Sequence, residues 1–382
     1  MTLTAELATE VMQGARRARP ELVERLLRLT AVDAPSGDQP TLRAAADHFA
    51  RELEELGGEV ARHTRHGITH LSTTLGPADG ERVLILCHYD TVWPRGAAAE
   101  RPGRVVDGRL SGPGTFDMRG GIVAALGALR LLGEAQLTRP VQVLLTGDEE
   151  TGSESSRELI LDIAGGASLV LVTEPPLPGG SLKTSRAGWS VYRLDASGRA
   201  AHAGLDPERG VSAIDELLDQ LREVAELRRP EEGTTLNIGT LAGGSMVNVI
   251  ADAASATLET RAGTRAEQER VDAGMRSLQP RRDGAKLRLT RLHHRPPMER
   301  TPAVAAAAGR ASELARLLCF ELGEGAAGGT SDANLVAELG VPVIDGLGPE
   351  GDGAHGFGEH VLVESLVERT ALIALLLRDA PR

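Results

Sequence analysis

The sequence predicts an α/β protein with a mixed, mostly parallel sheet flanked by helices, into which an α+β sandwich is inserted. Three observations predict it. Apolar runs of strand length, Arg82 to Cys87, Val141 to Leu145 and Leu169 to Val172, alternate with helical segments in the order that builds a sheet covered on both faces. Each of these runs ends abruptly in polar residues. A proline- and glycine-rich crossing, Glu174-Pro175-Pro176-Leu177-Pro178-Gly179-Gly180, then separates this pattern from a block of about a hundred residues, itself of ordinary domain size.

Glu21 to Leu29 and Thr41 to Leu56 place apolar residues at helical intervals around the turn-forming Ala34-Pro35-Ser36-Gly37-Asp38, so the chain opens on two helices. Ile68 to Thr74 and Arg82 to Cys87 read as strands, Gly120 to Leu132 as a strongly apolar helix, Val141 to Leu145 as a buried strand, Ser155 to Ile163 as a helix and Leu169 to Val172 as a strand. The inserted block reads as strand (Trp189 to Asp195), helix (Gly210 to Leu227), strands (Leu236 to Leu241 and Ala254 to Arg261), helix (Arg265 to Met275) and strand (Lys286 to Leu289). His293-His294-Arg295-Pro296-Pro297 marks the return crossing. Helix Pro302 to Leu318, a Gly-rich loop, a short helix near Asn334, strand Val341 to Ile344 and helix Glu364 to Arg378 complete the first domain. The expected division is a first domain made of 1–179 and 295–382 around an inserted domain at 180–294.

At 382 residues the chain suits about two domains and can bury a large core. Aromatic residues are only 2%, so that core must be aliphatic. The formal net charge of −12 argues against nucleic acid as a partner and, less strongly, against an anionic membrane. Cys87 and Cys319 are too few for a disulfide framework. Met1 to Gln13 shows no basic region followed by an apolar core, and no stretch reaches the roughly 18 apolar residues of a membrane span. These features read as a soluble, cytoplasmic protein.

Polar stations recur at the ends of the apolar runs, the edge at which open α/β sheets bind ligands. The first is His88-Tyr89-Asp90, a polar turn or a metal-ligand histidine whose second ring nitrogen Asp90 engages. Ser111 to Gly121 is a glycine-shaped loop in which Asp117 stands just before a helix, where capping alone would favour a carboxylate. Its glycines have neither the spacing nor the lysine of a phosphate cradle. Asp148-Glu149-Glu150 follows a buried strand, where adjacent carboxylates repel unless a cation or shared proton relieves them. One glutamate can then bind metal while its neighbour takes a proton from an attacking water. Glu174 ends a further strand, and His355 lies in the loop before the last helix. Two histidines and three carboxylates at one sheet edge form the oxygen and imidazole mixture that suits a pair of borderline divalent ions.

The series His88-Tyr89-Asp90, Gly112 to Gly121, Asp148 to Ser153, Thr173-Glu174-Pro175 and Ala354-His355 with Glu359 closely resembles the co-catalytic zinc exopeptidases. That family includes glutamate carboxypeptidase, acetylornithine deacetylase, succinyl-diaminopimelate desuccinylase and aminoacylase. The resemblance covers nearly the whole chain, and its separated motifs occur in the family's order. The glutamate carboxypeptidase branch looks nearest, through His88 to Trp93, Ser197 to Gly210 and the Arg295-Pro296 crossing. The resemblance implies a zinc exopeptidase-like catalytic domain with an inserted dimerisation and lid domain. It implies that Asp117 bridges two zinc ions, with cobalt or manganese as alternatives, that His88 and Glu174 complete one site, and that Glu150 and His355 complete the other. Asp90 would orient His88, and Glu149 would be the general base. Arg119 stands where relatives often carry a lysine.

In the inserted block, Gly198 to Gly204 resembles the motif whose histidine, here His202, reaches from a dimer partner towards the tetrahedral oxyanion. Asn248 and Arg261 match the family's substrate-binding asparagine and arginine, and Arg295 is similar to a further carboxylate-binding arginine. Gly329 and Thr330, in Gly328 to Asp332, resemble the glycine loop whose backbone N–H groups hold a substrate's terminal carboxylate. The implied function is a homodimeric metal-dependent hydrolase that cleaves an amide or peptide bond beside a free carboxylate. Its expected substrates are N-acyl amino acids, glutamate conjugates or short peptides. One alternative is an N-acyl amino acid deacylase of the acetylornithine deacetylase kind. The other is a non-catalytic metal-binding scaffold, whose signature would be a missing Glu149 or Glu150; both are present.

Overall fold

The computed structural model describes residues 4–379. Contacts divide the chain into two units: the described residues of Met1–Thr184, Arg300–Ala326 and Ser331–Arg382 form one, and Ser185–Glu299 with Ala327–Thr330 form the other.

The first unit is built on a six-stranded mixed sheet in the order Ala61–Arg65, Ile68–Leu75, Val141–Thr146, Arg82–His88, Ala167–Val172, Val343–Ile344. The first two junctions are antiparallel and the other three parallel. The central strands bury Val83, Leu84, Ile85, Leu86, Val143, Leu144, Val170 and Leu171, side chains from both faces, as expected of a sheet covered by helices. Helices Ala5–Thr30, Gly120–Leu132 and Val363–Asp379 pack on one another with an aliphatic interior. The first helix begins far earlier than Glu21, runs through Pro20, and is capped by the Thr4 hydroxyl accepting from the Leu7 N–H. Burial of Ala8, Val11, Met12 and Ala15 outweighs the interrupted backbone bond at the proline.

Parallel pairing puts the carboxyl ends of three strands at one edge. His88 lies beside Thr146, and Leu86 beside Val172, so Asp148 to Glu150 and Thr173-Glu174 emerge together. A second, four-stranded sheet in the order Gly351–Asp352, His360–Leu362, Arg109–Ser111, Arg104–Val106 was not expected from the sequence. Strands of two or three residues show no periodicity. The turn Asp107-Gly108, both residues with positive φ, was nonetheless a hairpin signal. This small sheet joins the segment leading to Asp117 with the segment leaving His355.

The second unit is a four-stranded antiparallel sheet in the order Thr235–Gly243, Ala253–Ala262, Gly188–Ser197, Lys286–Arg295, with helices Ala213–Ala225 and Arg265–Ser277. Its core holds Tyr192, Leu194, Leu217, Leu221, Leu258, Val271 and Met275. His293, His294 and Arg295, read as part of the return crossing, belong to the last strand, which accommodates them through a bulge between Arg291 and His293. Among the described residues no helix is long and apolar enough to cross a membrane.

Close packing ties helix Gly120–Leu132 to the site edge: a Cβ at Gly121 would lie 1.9 Å from the Thr173 carbonyl oxygen. Gly121→Ala is therefore expected to lower the stability of this unit by about 3 kcal/mol, the upper range for forced overpacking. Denaturant titration measures it, and a change below about 0.5 kcal/mol would show that the helix shifts freely there.

Candidate active site

At the shared edge of the parallel strands, His88, Asp117, Glu149, Glu150, Glu174 and His355 converge. His88 is almost fully buried. Its Nε2 lies 3.2 Å from Asp117 Oδ1 and 3.4 Å from Glu174 Oε1. His355 approaches from the other side, with Nε2 3.3 Å from Asp117 Oδ2 and 3.3 Å from Glu150 Oε2. Asp117 thus offers one oxygen to each imidazole. His355 attains this position with φ at 61°, in a turn that Gly353 opens at φ 78°.

Burial alone would lower the His88 pKa, but hydrogen bonds to Asp117, Asp90 and Glu174 raise it well above the ordinary range. Contacts to Asp117 and then Glu150 push His355 up to about 10. Burial would raise Asp117, yet the two imidazoles hold it far below the usual carboxylate range. Glu150 is pushed up by burial, with His355 opposing and the Asp117 charge adding to the rise. Imidazole contacts lower Asp117, while burial and the neighbouring carboxylate raise Glu150.

Asp90 is fully buried, and its role is wider than orienting His88. The shortest contact of His88 Nδ1 is with the Asp90 backbone carbonyl, at 3.0 Å, and the Asp90 carboxylate lies at 3.4 Å. That carboxylate accepts the backbone N–H groups of Glu149 and Glu150, each at 3.2 Å, and the Ser36 hydroxyl at 2.7 Å. It therefore fixes both glutamates by their backbone, which the sequence did not disclose.

The donor set fits divalent cations. Ligand atoms of His88, Asp117 and Glu150 lie within 4.8 Å of one another, and so do those of His88, Glu149 and Glu174. Glu150 Oε1 is buried with no hydrogen-bond partner, an arrangement that is costly unless a cation engages it. Glu149 thus offers an oxygen to the same centre as His88 and Glu174.

The model of peptidase family M20/M25/M40 matches residues 84–379. The chain belongs to that family. Carboxypeptidase G2 of Pseudomonas sp. (strain RS-16) is 30% identical over 383 residues, covering 97% of this chain and 91% of the relative. Acetylornithine deacetylase of Myxococcus xanthus is 31% identical over 389 residues, covering 93% and 96%. Among solved structures, aminopeptidase PepT from Bacillus cereus ATCC 10987 superposes with a TM-score of 0.75 at 23% identity, over 95% of this chain and 99% of the other. The M20/M25/M40 enzymes are dimetal hydrolases, and this member is a hydrolytic enzyme of the metallopeptidase and amidohydrolase type.

In the second unit, His202 is exposed, and its Nδ1 accepts the N–H groups of Gly204 and Leu205, both at 3.1 Å. The proton must then reside on Nε2, which is left as a donor. The Asn248 carbonyl accepts the Ala203 N–H, so both residues belong to one turn system. Arg261 donates to the Gly328 carbonyl at 3.1 Å, and Arg186, missed in the sequence, donates to that of Gly329 at 3.0 Å. Together they pin the glycine loop that carries Thr330. Arg295 is buried, with its carbonyl accepting from Gln268. Trp189 stacks on His293 at 5.4 Å.

Glu150→Gln is expected to leave the fold intact and to weaken binding of a divalent metal ion roughly tenfold or more. Competition against a chromophoric chelator measures this, and unchanged affinity would remove Glu150 from the ligand set.

Proposed function

We propose that this enzyme is a glutamate carboxypeptidase-like exopeptidase that cleaves an amide or peptide bond beside a free carboxylate. The observation that carries the reading is the convergence of two imidazoles and four carboxylates at one edge, with Glu149 held by Asp90 through its backbone. His88, Asp117 and Glu174 would hold one ion, and Asp117, Glu150 and His355 the other. Two ions there, zinc in our reading, would supply Lewis acidity for the scissile carbonyl and lower the pKa of the attacking water.

Glu149 takes the proton from that water and later delivers it to the leaving amine. Asp90 keeps Glu149 and Glu150 at a fixed mutual spacing during this transfer. In the dimer, the His202 Nε2–H of the second copy would donate to the oxygen that gains negative charge. Asn248, Arg261, Arg295 and the backbone of Gly329 and Thr330 bind the substrate's carboxylate. A glutamate-type substrate is supported by these arginines and by the similarity to carboxypeptidase G2 across the chain. The acetylornithine deacetylase relatives favour a second reading, deacylation of an N-acyl amino acid.

A homodimer belongs to the same reading. The edge strand Thr235–Gly243 and the loop after it expose Leu241, Met246 and Val247, an apolar margin suited to a second copy. Cytoplasmic residence suits the unpaired cysteines.

The deciding assay pits zinc-loaded protein against N-acyl glutamates, a folate-type glutamate conjugate, N-acetylornithine and dipeptides, with and without chelator. Chelator-sensitive release of glutamate is expected, and turnover of N-acetylornithine alone would favour the second reading. Glu149→Ala is expected to reduce turnover roughly 10²- to 10⁴-fold with zinc still bound; near-normal turnover would reassign the base. Mixed His202→Ala and Glu149→Ala subunits should recover activity, whereas sedimentation of monomer alone at working concentration would exclude the dimer.

A further inference from the structure

Glu359 lies outside the ligand set yet is fully buried. Burying a carboxylate is expensive unless donors surround it. Its Oε1 accepts the backbone N–H groups of Phe116 at 2.9 Å and Asp117 at 3.1 Å. Its Oε2 accepts the Gly114 N–H at 2.8 Å and the Trp93 indole N–H at 2.7 Å. The nearby Arg119 spends its guanidinium elsewhere, on the carbonyls of Pro113 and Val32.

These donors come from segments that bear ligands. The turn Thr115–Arg119 leaves helical geometry at Asp117 and Met118; the Thr115 and Arg119 N–H groups bond to the Gly112 and Gly114 carbonyls, and those of Phe116 and Asp117 find their partner in Glu359. Trp93 follows His88 on the same crossing loop. Its ring packs on the Arg101 guanidinium at 4.5 Å and against Phe357 at 6.0 Å, which aims the indole N–H. Glu359 itself closes the His355 loop, its N–H donating to the Gly356 carbonyl at 3.1 Å, before His360–Leu362 pairs with Arg109–Ser111.

We infer that Glu359 is a positioning residue that locks the His88, Asp117 and His355 segments into one metal-binding geometry by gathering three backbone N–H groups and one indole N–H on a single carboxylate. This rests on the dimetal reading above. A glutamine cannot substitute. Whichever way its amide is turned, the NH₂ group faces two of the four donors and breaks two hydrogen bonds.

The test is zinc stoichiometry and affinity of the purified full chain by chelator competition, with the absorption spectrum of the cobalt-loaded protein as a second readout. Glu359→Gln is expected to weaken at least one zinc equivalent by about 10- to 100-fold and to change the cobalt spectrum. Trp93→Phe removes one donor and keeps the carboxylate; it should move affinity the same way by a smaller factor, and it carries the test if Glu359→Gln does not fold. Folded variants that bind zinc within twofold of the parent, whatever their unfolding temperature, would overturn the inference and leave a plain structural role. A parent that binds fewer than two zinc ions would instead overturn the dimetal reading, and this inference with it.

Discussion

Mutual repulsion of buried and half-buried carboxylates is the constraint on which the rest of this structure depends. Asp90, Asp117, Glu149, Glu150 and Glu174 are gathered where three parallel strands end, with the imidazoles of His88 and His355 among them. In a region of low dielectric such a group does not hold together by hydrophobic packing. It needs donors or cations at defined points, and the fold is arranged to supply them.

The acids meet this constraint in two ways. Asp117, Glu150 and Glu174 are met by imidazoles, and among the described residues Glu150 Oε1 has no hydrogen-bond partner. Those that face away are met by backbone amides. Asp90 takes those of Glu149 and Glu150, Glu359 those of Gly114, Phe116 and Asp117, and Asp148 those of Ser155 and Ser156. The outer acids convert irregular turns into rigid ones, so that the inner acids arrive at fixed positions without a regular element beneath them.

The second unit solves a different problem. Its antiparallel sheet is stabilised by an ordinary aliphatic core. Arg186 and Arg261 are directed at carbonyls of the glycine loop, and two backbone amides set the His202 tautomer. Neither arrangement involves burying a cluster of like charges.

Much of this was legible beforehand, and the boundary of what was legible has a physical cause. Apolar runs such as Val83 to Leu86 and the helix Gly120–Leu132 announce themselves because burial imposes a period on the chain. The residues that end those runs, His88, Glu149, Glu150 and Glu174, were identifiable because polar stations recur at the ends of several buried strands, although each one alone would pass for a turn or a helix cap. The small sheet of Arg104–Val106, Arg109–Ser111, Gly351–Asp352 and His360–Leu362 escaped notice, since strands this short leave no period. Arg186 escaped as well, because a strand-end arginine is common and only its carbonyl partner distinguishes it. By itself the sequence determined the fold class, which follows from local order and residue type, and the family, which its separated motifs disclose; the same motifs nominated the candidate ligands. Only the tertiary structure decided that Asp117 divides its oxygens between two imidazoles, that Asp90 grips the glutamates by their backbone, and that Glu359 joins three loops. Those contacts link segments as far apart as Trp93 and Glu359, and long-range hydrogen-bond geometry leaves no trace in the order of residues.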